Sequence, residues 1–161
     1  ANYLLEKGHT RFAFIGSDTF LGTSKDRLRG FTDCLGEKGI DQCIVKMVPY
    51  TYEDGLLAMQ QIMADENKPT AVFCAGDILA IAAMDAAKFE RGIKIPEDVA
   101  IIGFDNIDAA SWSPYNLTTF EQQIDGMVET AFKYLTLKLN GEPAEEGLKL
   151  FECKLVERTS A

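Results

Sequence analysis

The stretch Thr70–Asn106, TAVFCAGDILAIAAMDAAKFERGIKIPEDVAIIGFDN, constrains the fold more than any other part of this chain. Ala71-Val72-Phe73-Cys74 is a short apolar run that reads as a strand. Asp77 stands where a helix cap is expected, after Ala75-Gly76. The helix that follows carries Ile78, Leu79, Ile81, Ala82, Met84, Ala86 and Phe89, a broad apolar stripe built largely of small residues. Gly92 and Pro96 are its stop signals. Val99 to Phe104 is a second strand, apolar on both faces, and such strands belong inside parallel sheets covered on both sides. The unit is a right-handed βαβ crossover. Both strands end in an acid, Asp77 and Asp105. In open α/β sheets ligands bind beyond the carboxyl ends of the strands, so two acids there form a candidate polar site.

The rest of the chain repeats the alternation. Residues 2–7 read as a short helix stopped by Gly8, and Arg11 to Gly16 as an apolar strand. Ser17 to Thr23 is a polar loop, and Ser24 to Lys38 a helix with Leu28, Phe31 and Leu35 on one face. Cys43 to Val48 is a strand. A loop with Pro49, Tyr50 and Tyr52 leads into a helix from Glu53 to Ala64. After the central unit come a short turn from Asn106 to Trp112 and a strand from Leu117 to Phe120. The longest helix runs from Gln122 to Asn140, and a last strand from Leu148 to Glu157. This alternation predicts an α/β fold, a mainly parallel sheet with helices on both faces.

Composition narrows the function. A chain of 161 residues, 47% hydrophobic and 25% charged, suits one soluble domain with a real core. Its net charge of −9 argues against binding nucleic acid through this segment, since phosphate contacts need a basic footprint. No apolar run is long enough to span a membrane. The amino terminus lacks both a signal-peptide pattern and an initiator Met, and we read the chain as an excised fragment. Cys34, Cys43, Cys74 and Cys153 are widely spaced and the chain has one histidine, so a zinc site is not expected. Neither a phosphate-cradling loop nor a nucleophile elbow occurs, so no cofactor and no catalytic activity are expected.

Each candidate residue has a plain structural reading beside the functional one. Arg27, in the first turn of a helix after a strand, can reach the carboxyl-end crevice with a fixed fork of donors, although by spacing alone it is a solvated arginine. Asp77 is first a helix cap. Asp105 is a turn-former or a ligand acceptor. Tyr50 is a strand-end core residue or an aromatic wall. Gln122 opens a helix and could reach a ligand. Trp112 is a pocket wall or a surface residue. His9 lies at the amino end of its strand, away from the expected ligand edge.

AVFCAGD, RGIKIPEDVAIIGFDN and LTTFEQ, in this order and spacing, resemble the effector-binding core of LacI/GalR-type bacterial repressors. The resemblance extends from Gly8-His9-Thr10-Arg11 to Leu155-Val156-Glu157-Arg158. It implies a periplasmic-binding-protein-like half-domain: residues 1–161 would be the carboxyl-terminal effector-binding subdomain of a cytoplasmic regulator. RLRGF resembles the family's motif whose arginine, here Arg27, hydrogen-bonds the effector. The acid of FDN, here Asp105, would contact it as well, and Tyr50 stands where an aromatic stacks on it. Asp77 and Gln122 join the expected set. Gly76 departs from the family, which often has a polar side chain there.

The implied effector is a sugar or sugar derivative, the implied partner a second copy of the chain. Operator DNA would be reached only through a headpiece that this chain lacks. A periplasmic sugar-binding protein of a transporter is the first alternative, and a small flavodoxin-like enzyme the second. The helix from Gln122 to Asn140 would cross into the missing half-domain. In the chain alone its apolar face is expected to fold onto its own sheet or, preferably, to pair with a second copy.

Overall fold

A computed structural model describes residues 1–17, 22–144 and 147–161, with backbone only at Glu90 and Arg91. Residues 18–21 of the predicted polar loop, and the Arg91 side chain of the RGIKIPEDVAIIGFDN motif, fall outside this description.

Five helices and six strands are formed among the described residues: α1 (Asn2–Glu6), β1 (Phe12–Ser17), α2 (Thr23–Gly36), β2 (Cys43–Val48), α3 (Tyr52–Met63), β3 (Ala71–Cys74), α4 (Asp77–Arg91), β4 (Ala100–Asp105), β5 (Thr118–Glu121), α5 (Ile124–Leu139) and β6 (Lys154–Val156). A 3₁₀ turn, Asp108–Ser111, lies between β4 and β5. The strands form one sheet in the order β2-β1-β3-β4-β5-β6. All neighbours are parallel except β5 and β6. The sheet is thus the mainly parallel α/β architecture that the sequence predicts.

Alternation along the strands divides the core into two layers. Ala13, Ile15, Val72, Cys74 and Ile101 point to one face, where they meet Met59 and Ile62 of α3 and Leu79, Ala83 and Met84 of α4. Phe12, Phe14, Ala71, Ala100 and Ile102 point to the other, against Leu4 of α1 and Phe31 and Leu35 of α2. The small residues of α4 let α3 approach closely: a Cβ on Gly55 would fall 3.0 Å from the Ala82 Cβ and 3.3 Å from the Leu79 Cα. That packing holds α4, and the site residues at its start, rigidly over the sheet.

The chain runs from β1 outward to β2, then returns to the far side of β1 as β3. This reversal is a topological switch point, and the carboxyl ends of β1 and β3 open a crevice there.

Three expectations need correction. Gly76, not Asp77, is the N-cap of α4, because the Asp77 carboxylate is bonded elsewhere. The last strand covers only Lys154–Val156, since residues 148–153 lie outside the ladder with β5; Leu148 and Leu150 alternate like a strand yet stay exposed. Finally, α5 does not fold onto its own sheet. None of its residues is buried, and Ile124, Met127, Val128, Phe132, Leu135 and Leu139 are exposed.

Candidate functional site

Asp105 closes β4 and is the centre of the site. Its φ of 119° lies in a region that side chains rarely adopt, and Asn106 follows at 55°. Such backbone persists only where the surroundings hold it, and it clusters at ligand sites. Gln122 Nε2 donates to Asp105 Oδ1 at 2.7 Å. Tyr50 Oη donates to Asp105 Oδ2 over a longer 3.4 Å. Burial raises the Asp105 carboxyl above the ordinary carboxylate value; the Arg27 charge opposes this, and Asp77 adds to it.

Arg27 reaches the same crevice from α2. Its Nη1 donates to the Ala75 carbonyl at 2.6 Å, just past β3. The guanidinium lies 3.6 Å from the centroid of the Phe104 ring. Phe104 in turn stacks on Phe120, at 6.0 Å and 25° between planes. A planar cation on an aromatic face is held in orientation, and its other N–H groups remain for an acceptor.

Tyr50 follows β2 at the crevice wall. Thr51 caps α3 through Asp54 N–H, which fixes the loop that carries Tyr50. The tyrosine ring lies directly on Gly76, so that any Cβ there would overlap the phenol. Glycine at 76, the departure noted from the sequence, therefore makes room for Tyr50. Burial first, then the Asp105 and Asp77 charges, pushes the Tyr50 phenol up to about 12, so it remains a donor.

Asp77 is fully buried and does not line the crevice. Its Oδ1 accepts from Thr119 Oγ1 at 2.6 Å, and its Oδ2 from the Ile107 N–H at 2.9 Å. Burial raises its carboxyl, while these bonds and the backbone N–H groups of Asn106 and Phe104 pull it back down. Gly103 leaves the necessary space, because a Cβ there would overlap Asp77 Oδ1.

The structure thus brings Arg27, Tyr50, Asp105 and Gln122 together and sets Asp77 behind them. It also adds residues that the sequence reading passed over. Arg158 Nη2 donates to Asn106 Oδ1 at 2.7 Å and its Nη1 to the Leu117 carbonyl at 2.6 Å. An arginine just after an alternating run carries no local signal for this role. Phe104 belongs to the strand that is apolar on both faces, and its use as the platform for Arg27 shows only in three dimensions. A cavity of about 590 Å³ adjoins the site at the start of α5, lined by Asp105, Asn106, Glu121, Gln122, Asp125 and Lys154 among others.

The remaining candidates lie elsewhere. His9 Nδ1 is 3.1 Å from Thr70 Oγ1, at the amino end of the sheet. Trp112 is a surface residue, 58% exposed. All four cysteines are free thiols; burial pushes Cys43 up to about 11 and raises Cys74 as well, which disfavours the thiolate at both. Among the described residues no cluster of three metal-ligating side chains occurs, and no helix is long and apolar enough to cross a membrane.

An acceptor, a stacked guanidinium, an amide and a phenol around one crevice suit a small ligand rich in hydroxyl groups. Comparison with known proteins places the fold in a family. The profile of the periplasmic binding protein-like domain matches residues 1–161. The HTH-type transcriptional repressor CytR of Escherichia coli (strain K12) is 37% identical over 161 residues, 99% of this chain and 47% of its own length. The HTH-type transcriptional repressor PurR of Salmonella heidelberg is 38% identical, over 98% of this chain and 47% of its own length. This chain therefore spans about half the length of these relatives. Among solved structures, a sugar-binding transcriptional regulator of the LacI family from Escherichia coli, complexed with phosphate, superposes with a TM-score of 0.89 at 29% identity. The match covers 99% of this chain and 57% of that one. Matched along its whole length, this chain belongs to the periplasmic-binding-protein-like domain family, in the form found in the effector-binding half of LacI/GalR-type regulators.

Proposed function

We propose that this chain is the effector-binding and self-associating part of a transcriptional repressor, and that its effector is a sugar or sugar derivative. The observation that carries the reading is Asp105. It is held in a strained conformation, half-buried, with Gln122 and Tyr50 on its two oxygens. A carboxylate so placed can accept from vicinal hydroxyls, while Arg27 donates from across the crevice and the Tyr50 ring packs on sugar C–H groups. The names of the relatives and the sugar-binding regulator of like fold support the class. Asp77 is a support for this site rather than a ligand contact.

The exposed face of α5, with Leu148 and Leu150, packs in the longer protein against a second α/β half-domain, and effector lies between the halves. Closing on effector would shift the whole protein between states of different affinity for operator DNA. DNA is bound through a separate headpiece, and a second copy of the chain is the other partner. The role is binding without turnover.

The test compares the longer protein with this chain in fluorescence anisotropy on DNA from its own upstream region. The longer protein should bind, with an affinity that changes on adding effector. This chain, with its net charge of −9, should not bind. Sequence-specific DNA binding by the isolated chain would contradict the assignment.

A further inference from the structure

Two consecutive residues with positive φ, Asp105 and Asn106, have to be held by something other than their own preference. Two clamps are visible. From the chain's last turn, Arg158 takes Asn106 Oδ1 and the Leu117 carbonyl. From the first turn of α4, Asp77 takes the Ile107 N–H and the Thr119 hydroxyl.

The Asp77 clamp is the more telling one. A carboxylate without solvent exposure costs stability unless its oxygens are fully used. Here they are used by three elements at once: α4 supplies the carboxylate, the turn after β4 supplies backbone N–H groups, and β5 supplies Thr119. Gly103, directly before Phe104-Asp105, is the only residue type that leaves room for it. Thr119 itself is fully buried and pairs in register with Gly103, so the Asp77–Thr119 bond crosses the β4–β5 ladder beneath the turn. Two residues further along lies Glu121, which accepts from Asn106 Nδ2 at 3.1 Å, and then Gln122, which holds Asp105.

We propose that Asp77 is the positioning residue of the site: it holds Asp105 in its left-handed conformation and locks that conformation to β5, the strand that leads into α5. A change at Asp105 is then transmitted to the start of α5 through Thr119, Glu121 and Gln122. The term site rests on the function proposed above, but the conformational coupling does not.

The experiment therefore uses this chain without any ligand. Three-bond HN–Hα couplings report φ at Asp105, and amide hydrogen exchange reports Phe104, Asn106 and Ile107. Asp77→Asn should move the Asp105 coupling from the small value of its positive φ toward the larger value of extended backbone. It should speed exchange at Asn106 and Ile107 roughly tenfold or more, the scale of one lost charge-assisted hydrogen bond. Amides of β1 should stay as in the parent. Thr119→Val, which removes only the hydroxyl, should give a smaller change of the same kind, and Thr119→Ser should restore the parent values. If Asp77→Asn does not fold, the Thr119 pair decides alone. Parent-like Asp105 coupling and exchange in folded Asp77→Asn, or in Thr119→Val, would overturn the proposal. Loss of ligand binding plays no part in this result, so failure of the functional reading would leave it standing.

Discussion

At the scale of residues, the site is a carboxylate whose environment sets its chemistry. Burial raises both Asp105 and Asp77 above the ordinary carboxylate value. For a carboxylate the raised folded value means that the native state takes up the proton more readily than the unfolded chain. The contribution of these two groups to stability therefore improves as pH falls through their raised values. Effector binding should do the opposite, because an acceptor for hydroxyl groups must be ionised. Affinity should fall in the mildly acidic range, at a pH above that of an ordinary aspartate. Calorimetric titrations across pH check this, and Asp105→Asn should flatten the acid limb. On the alkaline side affinity should hold, since Tyr50 keeps its proton until about 12. Gly76→Val tests the other wall: the new side chain would displace Tyr50 and should lower affinity at least tenfold, about 1.4 kcal/mol or more. Binding unchanged by Gly76→Val would remove Tyr50 from the site.

Residue by residue, the sequence was informative at the carboxyl ends of strands. Asp105 closes β4, Tyr50 follows β2, and Arg27 stands in the helix after β1, and they do meet. Asp77 follows one too, yet it turns inward. That turn depends on Thr119, far along the chain, and on the missing side chain of Gly103. Arg158 was invisible for the same reason, as its partners are distant.

At the scale of elements, periodicity identified every helix and strand, with ends displaced by a residue or two. The exception is instructive. Leu148 and Leu150 alternate like a strand, but alternation reports only that a segment has an apolar side, and the ladder with β5 begins at Lys154. The same holds for α5, whose stripe was legible while its place was not. Six of its large apolar side chains, Ile124, Met127, Val128, Phe132, Leu135 and Leu139, are exposed here. Burying each would contribute about 1.5–3 kcal/mol, a large amount for a domain of marginal stability. At micromolar concentration this chain should therefore sediment as a dimer or larger, and Phe132→Asp combined with Leu135→Asp should return it to a monomer. A clean monomer of the parent chain would show that α5 tolerates exposure.

At the scale of the whole molecule, the switch point between β1 and β3 gathers Arg27 and Asp105 from elements distant in sequence, and β5 carries the same geometry outward to α5. In the function proposed above, Asp105 and its neighbours bind a hydroxyl-rich effector. Thermal unfolding of the longer protein against a panel of sugars, phosphosugars and nucleobases tests it most directly, run on the parent and on Asp105→Ala. A sugar or phosphosugar should raise the parent midpoint by several degrees, as about 2.7 kcal/mol of stabilisation at a hundredfold excess over Kd would require. Asp105→Ala should bind that compound more weakly by roughly 2–4 kcal/mol, the scale for leaving a buried charged partner unpaired. Stabilisation of both proteins to the same extent, or by none of the sugars, would contradict the account.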